Sequence, residues 1–147
     1  MKHPGGIDHQ PCHLIDIMAT CLDAAGTEYP AQYERRRPVP AEGISLLPLA
    51  EGRRLPVRPI FAEHEGNRMV RLGRWKLVAS YYNGQRWELY DIAHDRTEQH
   101  DLAARHPRRV ARMAQLYFRW ADANGVLPYP QLMNEYGGQK MEVYNER

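Results

Sequence analysis

"EHEGNRMVRLGRWKLV", Glu63 to Val78, carries two short alternating runs joined at Gly73-Arg74, and that alternation decides the fold. In the first run Met69 and Arg71 fall on one side of an extended chain, Val70 and Leu72 on the other. Side chains that switch sides at every residue mark a strand with one face buried. Gly73-Arg74 suits a two-residue turn, and "WKLVASY" then sets Trp75, Leu77, Ala79 and Tyr81 on one face. Upstream, "PIFAEHE" reads as a strand from Pro59 that runs into the EHEGN loop. Downstream, Asn83-Gly84 is the strongest short hairpin signal in the chain, because a type I′ turn needs positive φ at both central residues. "RWELYDI" returns as the next strand, with Trp87, Leu89 and Asp91 alternating with Glu88, Tyr90 and Ile92. A meander of about four antiparallel strands results, and its aromatic face must be covered.

The cover lies further along. "HPRRVARMAQLYFRWADANG" has Pro107 at the first helical position and Gly125 just past the end. Val110, Met113, Ala114, Tyr117, Trp120 and Ala121 form one apolar stripe, while Arg108, Arg109, Arg112, Gln115, Arg119 and Asp122 stay wet. The fold class expected is α+β: an antiparallel sheet packed against a long C-terminal helix, with an N-terminal helix and a loop-rich connection. That first helix is "HLIDIMATCLDAAG", where Leu14, Ile17, Met18, Cys21, Leu22 and Ala25 recur at helical spacing before Gly26. From Thr27 to Pro59 the chain is proline-rich and loop-like, and "GISLLPLAEG" within it suits one helical turn or an apolar clip. "HDRTEQHDLA" reads as tight turns capped by Asp95 and Asp101. The organisation expected is therefore 1–58 helix and loop, 59–125 sheet plus helix, and 126–147 an extended tail. That tail, with Tyr129, Tyr136, Tyr144, Leu132, Met133 and Met141, needs another surface to lie on.

With 147 residues the chain can build one hydrophobic core. A formal charge of +2 is too near neutral for strong steering onto nucleic acid, which is not expected as a partner. The Arg35–Arg37 run before Pro38 reads as a solvated loop, with an anion site as the sharper alternative. No apolar run approaches the roughly 20 residues that span a bilayer, and Met1-Lys2-His3-Pro4 does not open a signal peptide. No membrane partner is expected, and the compartment stays open between cytoplasm and periplasm. Cys12 and Cys21 are too few for a disulfide framework and read as free, partly buried thiols. A metal site built from His9, Cys12 and His13 lacks a second ligand pair.

Patterns for a nucleophile elbow, a P-loop, a zincin helix and a CxxC pair are all absent. The EHEGN loop is the one chemical cluster. His64 titrates near neutrality, Glu63 and Glu65 flank it, and Gly66 permits a tight return at the end of a strand. The plainer reading makes these loop polar groups, with Arg68 pairing to one carboxylate.

"DIMATCLDAAG", "GISLLPL", "FAEHEGNRMVRLGRWKLV", "WELYDIAHDRTEQHDLAARHP" and "RWADANGVLP" follow in one order and spacing. As a set they resemble the C-terminal region of arylsulfatase-type sulfatases of the alkaline-phosphatase-like superfamily, from about Gly6 to about Pro128. Ala19 stands where the family usually has Pro, Met69 where it has a small residue, and Arg74 where it has Asp. The resemblance implies a sulfuric ester hydrolase whose nucleophile is a formylglycine, made from Cys or Ser in a C/S-x-P-S-R motif. It also implies calcium, held by Asp and Asn in a large N-terminal domain.

None of those groups carries over. Cys12 is followed by "HLID" and Cys21 by "LDAA", so neither sits in the modification motif. No nucleophile, metal ligand or cofactor is expected within this chain, which resembles the C-terminal subdomain alone and should be inactive in isolation. Its expected partners are the missing catalytic domain and a sulfate ester substrate. A second copy of the chain, held through the docking face and tail, is the alternative. Glu63, His64, Asn67 and Arg68 are the substrate-cleft candidates, with His64 touching substrate and Arg68 either doing so or bridging two domains. Trp75, Trp87 and Trp120 are expected in the core.

Overall fold

The computed structural model describes residues 5–135. The chain forms two compact units that divide between Val57 and Arg58.

In the first unit, helix α1 (Asp16–Ala24) and the single turn α2 (Leu47–Ala50) are joined by a long irregular connection. Gly26 ends α1 as expected. Its N–H bonds to the Asp23 carbonyl and that of Thr27 to the Leu22 carbonyl, which together satisfy the last carbonyls of the helix. Asp16 fastens α1 from within. It is fully buried, and its carboxylate accepts the N–H groups of His13 (2.7 Å) and Ile44 (3.1 Å). One turn on, the Thr20 hydroxyl donates to the Asp16 carbonyl and accepts the Leu46 N–H, so both residues hold the segment leading into α2. The apolar stripe departs from expectation: Leu14, Ile17 and Met18 are 77%, 55% and 54% exposed. A second correction concerns the thiols. Cys12 and Cys21 are free as expected, but both are exposed. For Cys21, within α1, the reason is that the polar anchors Asp16 and Thr20, rather than the apolar stripe, face the 44–46 segment.

The second unit is an α+β sandwich. Strands β1 (Pro59–His64), β2 (Asn67–Leu72), β3 (Trp75–Ala79) and β4 (Trp87–Asp91) pair antiparallel in sequence order, and helix α3 (Pro107–Ala123) packs across them. The register places Phe61, Val70, Leu77 and Leu89 in one row. Val70, Leu77 and Leu89 are sealed there with Met113, Ala114, Tyr117 and Ala121 of α3. Trp75, Trp87 and Trp120 pack against this core as expected: Trp120 stacks on Phe61 (ring centroids 5.1 Å), Trp87 meets Tyr117 edge-on, and Arg109 lies 4.2 Å above Trp75. Gly125 closes α3 with the same pair of bonds that ends α1: its own N–H to Asp122 and that of Val126 to Ala121.

The β3–β4 connection differs from the Asn83-Gly84 turn that the sequence predicts. Tyr81–Asn83 make a 3-10 turn, and the two positive-φ residues are Gly84 (63°) and Gln85 (57°), one position later. The Gln85 N–H reaches the Ser80 carbonyl at 3.0 Å, so a seven-residue loop replaces the tight hairpin. Asp95 and Asp101 cap as expected: Asp95 accepts the N–H groups of Gln99 and His100, and Asp101 those of Leu89 and Ala103. In the tail, residues 129–135 are helical where an extended arm was expected. Pro128 and Pro130 fix the φ angles at a helix start, and the Leu132 N–H bonds to the Pro128 carbonyl. Tyr136, Met141 and Tyr144 lie outside the described residues.

Candidate functional site

The EHEGN stretch is a two-residue hairpin turn. His64 pairs with Asn67, leaving Glu65 and Gly66 as the central residues with φ of 51° and 81°. Two positive φ angles match the right-handed twist of the flanking strands, which is why Gly follows a residue willing to enter the left-handed region. Gly66 is also the only residue type that fits. A Cβ there would sit 2.9 Å from both the Cβ of Tyr129 and Cδ2 of Tyr81.

Strand alternation divides the four candidate residues into two pairs. Glu63 and Arg68 are cross-strand partners in the rows that face α3, while His64 and Asn67 project from the opposite face. Glu63 accepts the Gly66 N–H at 2.8 Å, which closes the turn. Arg68 does not pair with a carboxylate among the described residues; its guanidinium lies 6.0 Å above the Tyr117 ring and 5.7 Å above Phe118. Burial pushes the Tyr117 phenol above its ordinary pKa, Glu63 adds to that rise, and Arg68 opposes it. The three charged or titratable groups thus share one partly buried corner between the sheet and α3.

Asn67 is used on both sides of its amide. Its Nδ2 donates to the His64 carbonyl and its Oδ1 accepts the Tyr81 N–H, so it ties the hairpin to the β3–β4 loop. His64 has no comparable structural duty. Its side chain is 85% exposed, with Nε2 4.0 Å from the Glu65 carboxylate. Of the four candidates, His64 alone presents a titratable ring to solvent.

The hairpin has neighbours that the sequence reading did not bring to it. Tyr81 meets Tyr82 and Tyr129 edge-on, at 5.6 Å and 4.7 Å between ring centroids, around Gly66. Burial raises the Tyr129 phenol pKa and the Glu65 carboxylate raises it further. No local period could signal this group, because Tyr129 arrives from beyond α3.

No protein-family model matches the chain. Several solved structures share its fold. Ps i-CgsB aligns with a TM-score of 0.62 and 22% identity over 76% of this chain and 24% of its own; it is also known in complex with k-i-k-neocarrahexaose. BT1596, a 2-O GAG sulfatase, aligns with a TM-score of 0.53 and 28% identity over 76% of this chain and 25% of its own. BT4656, in complex with its substrate D-glucosamine-2-N,6-O-disulfate, aligns with a TM-score of 0.56 and 22% identity over 78% of this chain and 25% of its own. The fold is thus that of one piece of sulfatases. This chain spans about a quarter of the length of the proteins it matches.

The groups that a whole sulfatase is implied to need do not fit here. Among the described residues no three His, Cys, Asp or Glu side chains come together to hold a metal ion, and neither cysteine sits in a modification motif. Nor is any helix among them long and apolar enough to cross a membrane.

Proposed function

We propose that this chain is the C-terminal part of a sulfuric ester hydrolase, supporting a separate catalytic domain and walling its substrate cleft. The observation that carries this reading is the fold shared with one quarter of several sulfatase chains, over about three quarters of this one. On this reading the sulfur chemistry, with its formylglycine and calcium, belongs to the catalytic domain. The hairpin's share is recognition of the group that carries the sulfate. His64, exposed at the β1–β2 turn, contacts that group. Glu63 and Asn67 hold the turn that presents it, and Arg68 lies beside it against the Tyr117 and Phe118 rings of α3. The sequence pieces resemble arylsulfatases, whereas the ligands named for the solved neighbours are saccharides. A sugar-borne sulfate ester is therefore the substrate we assign, with an aryl sulfate as the second probe.

The test compares three samples: the purified chain, the catalytic domain carrying C/S-x-P-S-R, and the two together. Hydrolysis of D-glucosamine-2-N,6-O-disulfate or an aryl sulfate is expected only from the pair. His64→Ala in the pair should raise KM about tenfold, the loss of roughly 1.4 kcal/mol of binding. Turnover by the 147-residue chain alone would overturn the proposal. The bare stripe of Leu14, Ile17 and Met18 also favours a second reading, a module that assembles with its own copies. A concentration-independent monomer in sedimentation would exclude it.

A further inference from the structure

The Arg-Arg-Arg run at 35–37 forms part of a built feature of the first unit. Tyr33 and Arg36 exchange both backbone hydrogen bonds, at 2.9 and 2.8 Å, which closes a hairpin whose tip is Glu34-Arg35. Both tip residues take positive φ, 46° and 66°, although neither is Gly. Such conformations persist where the surrounding chain imposes them. Here Pro38 and Pro40 follow, and a residue before proline is disfavoured from helical backbone, which limits the conformations open to Arg37. A cleft of about 760 Å³ lies beside this hairpin, lined by Tyr29, Arg35, Arg37, Pro38 and Pro40 among others. Arg36, between the two lining arginines, does not line it.

We propose that this cleft binds a sulfated saccharide, a second site distinct from the β1–β2 hairpin. Its volume is within the range of small-ligand sites and suits one or two sugar rings. Among the described residues neither Arg35 nor Arg37 is paired with a carboxylate, so two guanidinium groups stand ready for an anion. A guanidinium matches a tetrahedral oxyanion through two parallel N–H donors. Tyr29, 39% exposed, and the proline rings offer flat apolar surfaces for the C–H face of a pyranose. Anion-binding forks beside apolar planes fit a charged sugar better than a bare ion. The choice of sulfate over another anion rests on the proposed function.

The test is a titration of the 147-residue chain with D-glucosamine-2-N,6-O-disulfate, followed through its backbone amides. Saturable shifts are expected within residues 29–41. Arg35→Gln and Arg37→Gln should each weaken binding about tenfold, the scale of one charge-assisted contact, and Arg36→Gln less than about twofold. Amide positions outside the segment report that each variant is folded. Three outcomes would overturn the site: no saturable shift, equal loss in Arg36→Gln, or equal binding of unsulfated N-acetylglucosamine or free sulfate ion. Binding needs no turnover, so this result is separate from the catalytic pairing experiment. A chain that restores activity but binds no sugar at 29–41 disproves the cleft alone.

Discussion

Gly66 has two constraints at once, a φ of 81° and the closeness of Tyr81 and Tyr129. Gly66→Ala is therefore expected to cost about 1–3 kcal/mol in urea or thermal unfolding, more than the helix-propensity scale for the same exchange would give. Tyr90 reports on pH at the same scale. It is buried and donates to the Glu88 carboxylate at 3.1 Å; burial first and that carboxylate second push its pKa from 10.0 up to about 12. A folded-state pKa above the unfolded one means the fold favours the neutral phenol. Its stabilising effect is complete below pH 10 and is lost as pH rises through about 12. Unfolding midpoints across that window should fall in the parent chain and fall less steeply in Tyr90→Phe, where the raised phenols of Tyr117 and Tyr129 remain.

Elements in this protein are held by side chains as much as by their own periodicity. Helix α1 has a good apolar repeat, yet it is Asp16 and Thr20 that bond it to the 44–46 segment. Asp16→Ala would strip partners from the His13 and Ile44 amides and is expected to cost about 2–3 kcal/mol. Faster hydrogen exchange at those two amides is the measurement, with the amides of β2 and β3 unchanged. In α3 the sequence stripe and the buried stripe coincide, because Met113, Ala114, Tyr117 and Ala121 meet a flat sheet face. The Asn83-Gly84 turn shows the opposite case. Its chemistry was right for a hairpin, but the Gln85 and Asn83 amides both bond to Ser80, and the positive-φ pair moved one residue along.

On the scale of the whole molecule, the exposed Ile17 and Met18 mark a face whose burial would release apolar surface from water. Ile17→Glu together with Met18→Glu should leave the circular dichroism of the chain unchanged, since both side chains are more than half exposed. The same pair should weaken association with the catalytic domain, or with further copies, at least about tenfold in sedimentation. Unchanged association would show that this stripe is not the docking face.

Local pattern alone determined the four strands, the caps of α1 and α3, the sheet-facing stripe of α3 and the α+β class. Each of these depends on residues within a few positions of one another, where a period of two or a Gly at a helix end has one physical solution. Tertiary structure decided the rest. It turned Glu63 and Arg68 toward α3 and His64 and Asn67 away, because a two-residue turn fixes the pairing and alternation then assigns the faces. It brought Tyr81 and Tyr129 against Gly66, and it set Arg35 and Arg37, but not Arg36, along a cleft. The contacts at Gly66 join pieces of chain that meet only after folding, so no single stretch of sequence carries them. The other two placements lie within residues 63–68 and 29–41, but they follow from the pairings His64 with Asn67 and Tyr33 with Arg36, which no residue period announces.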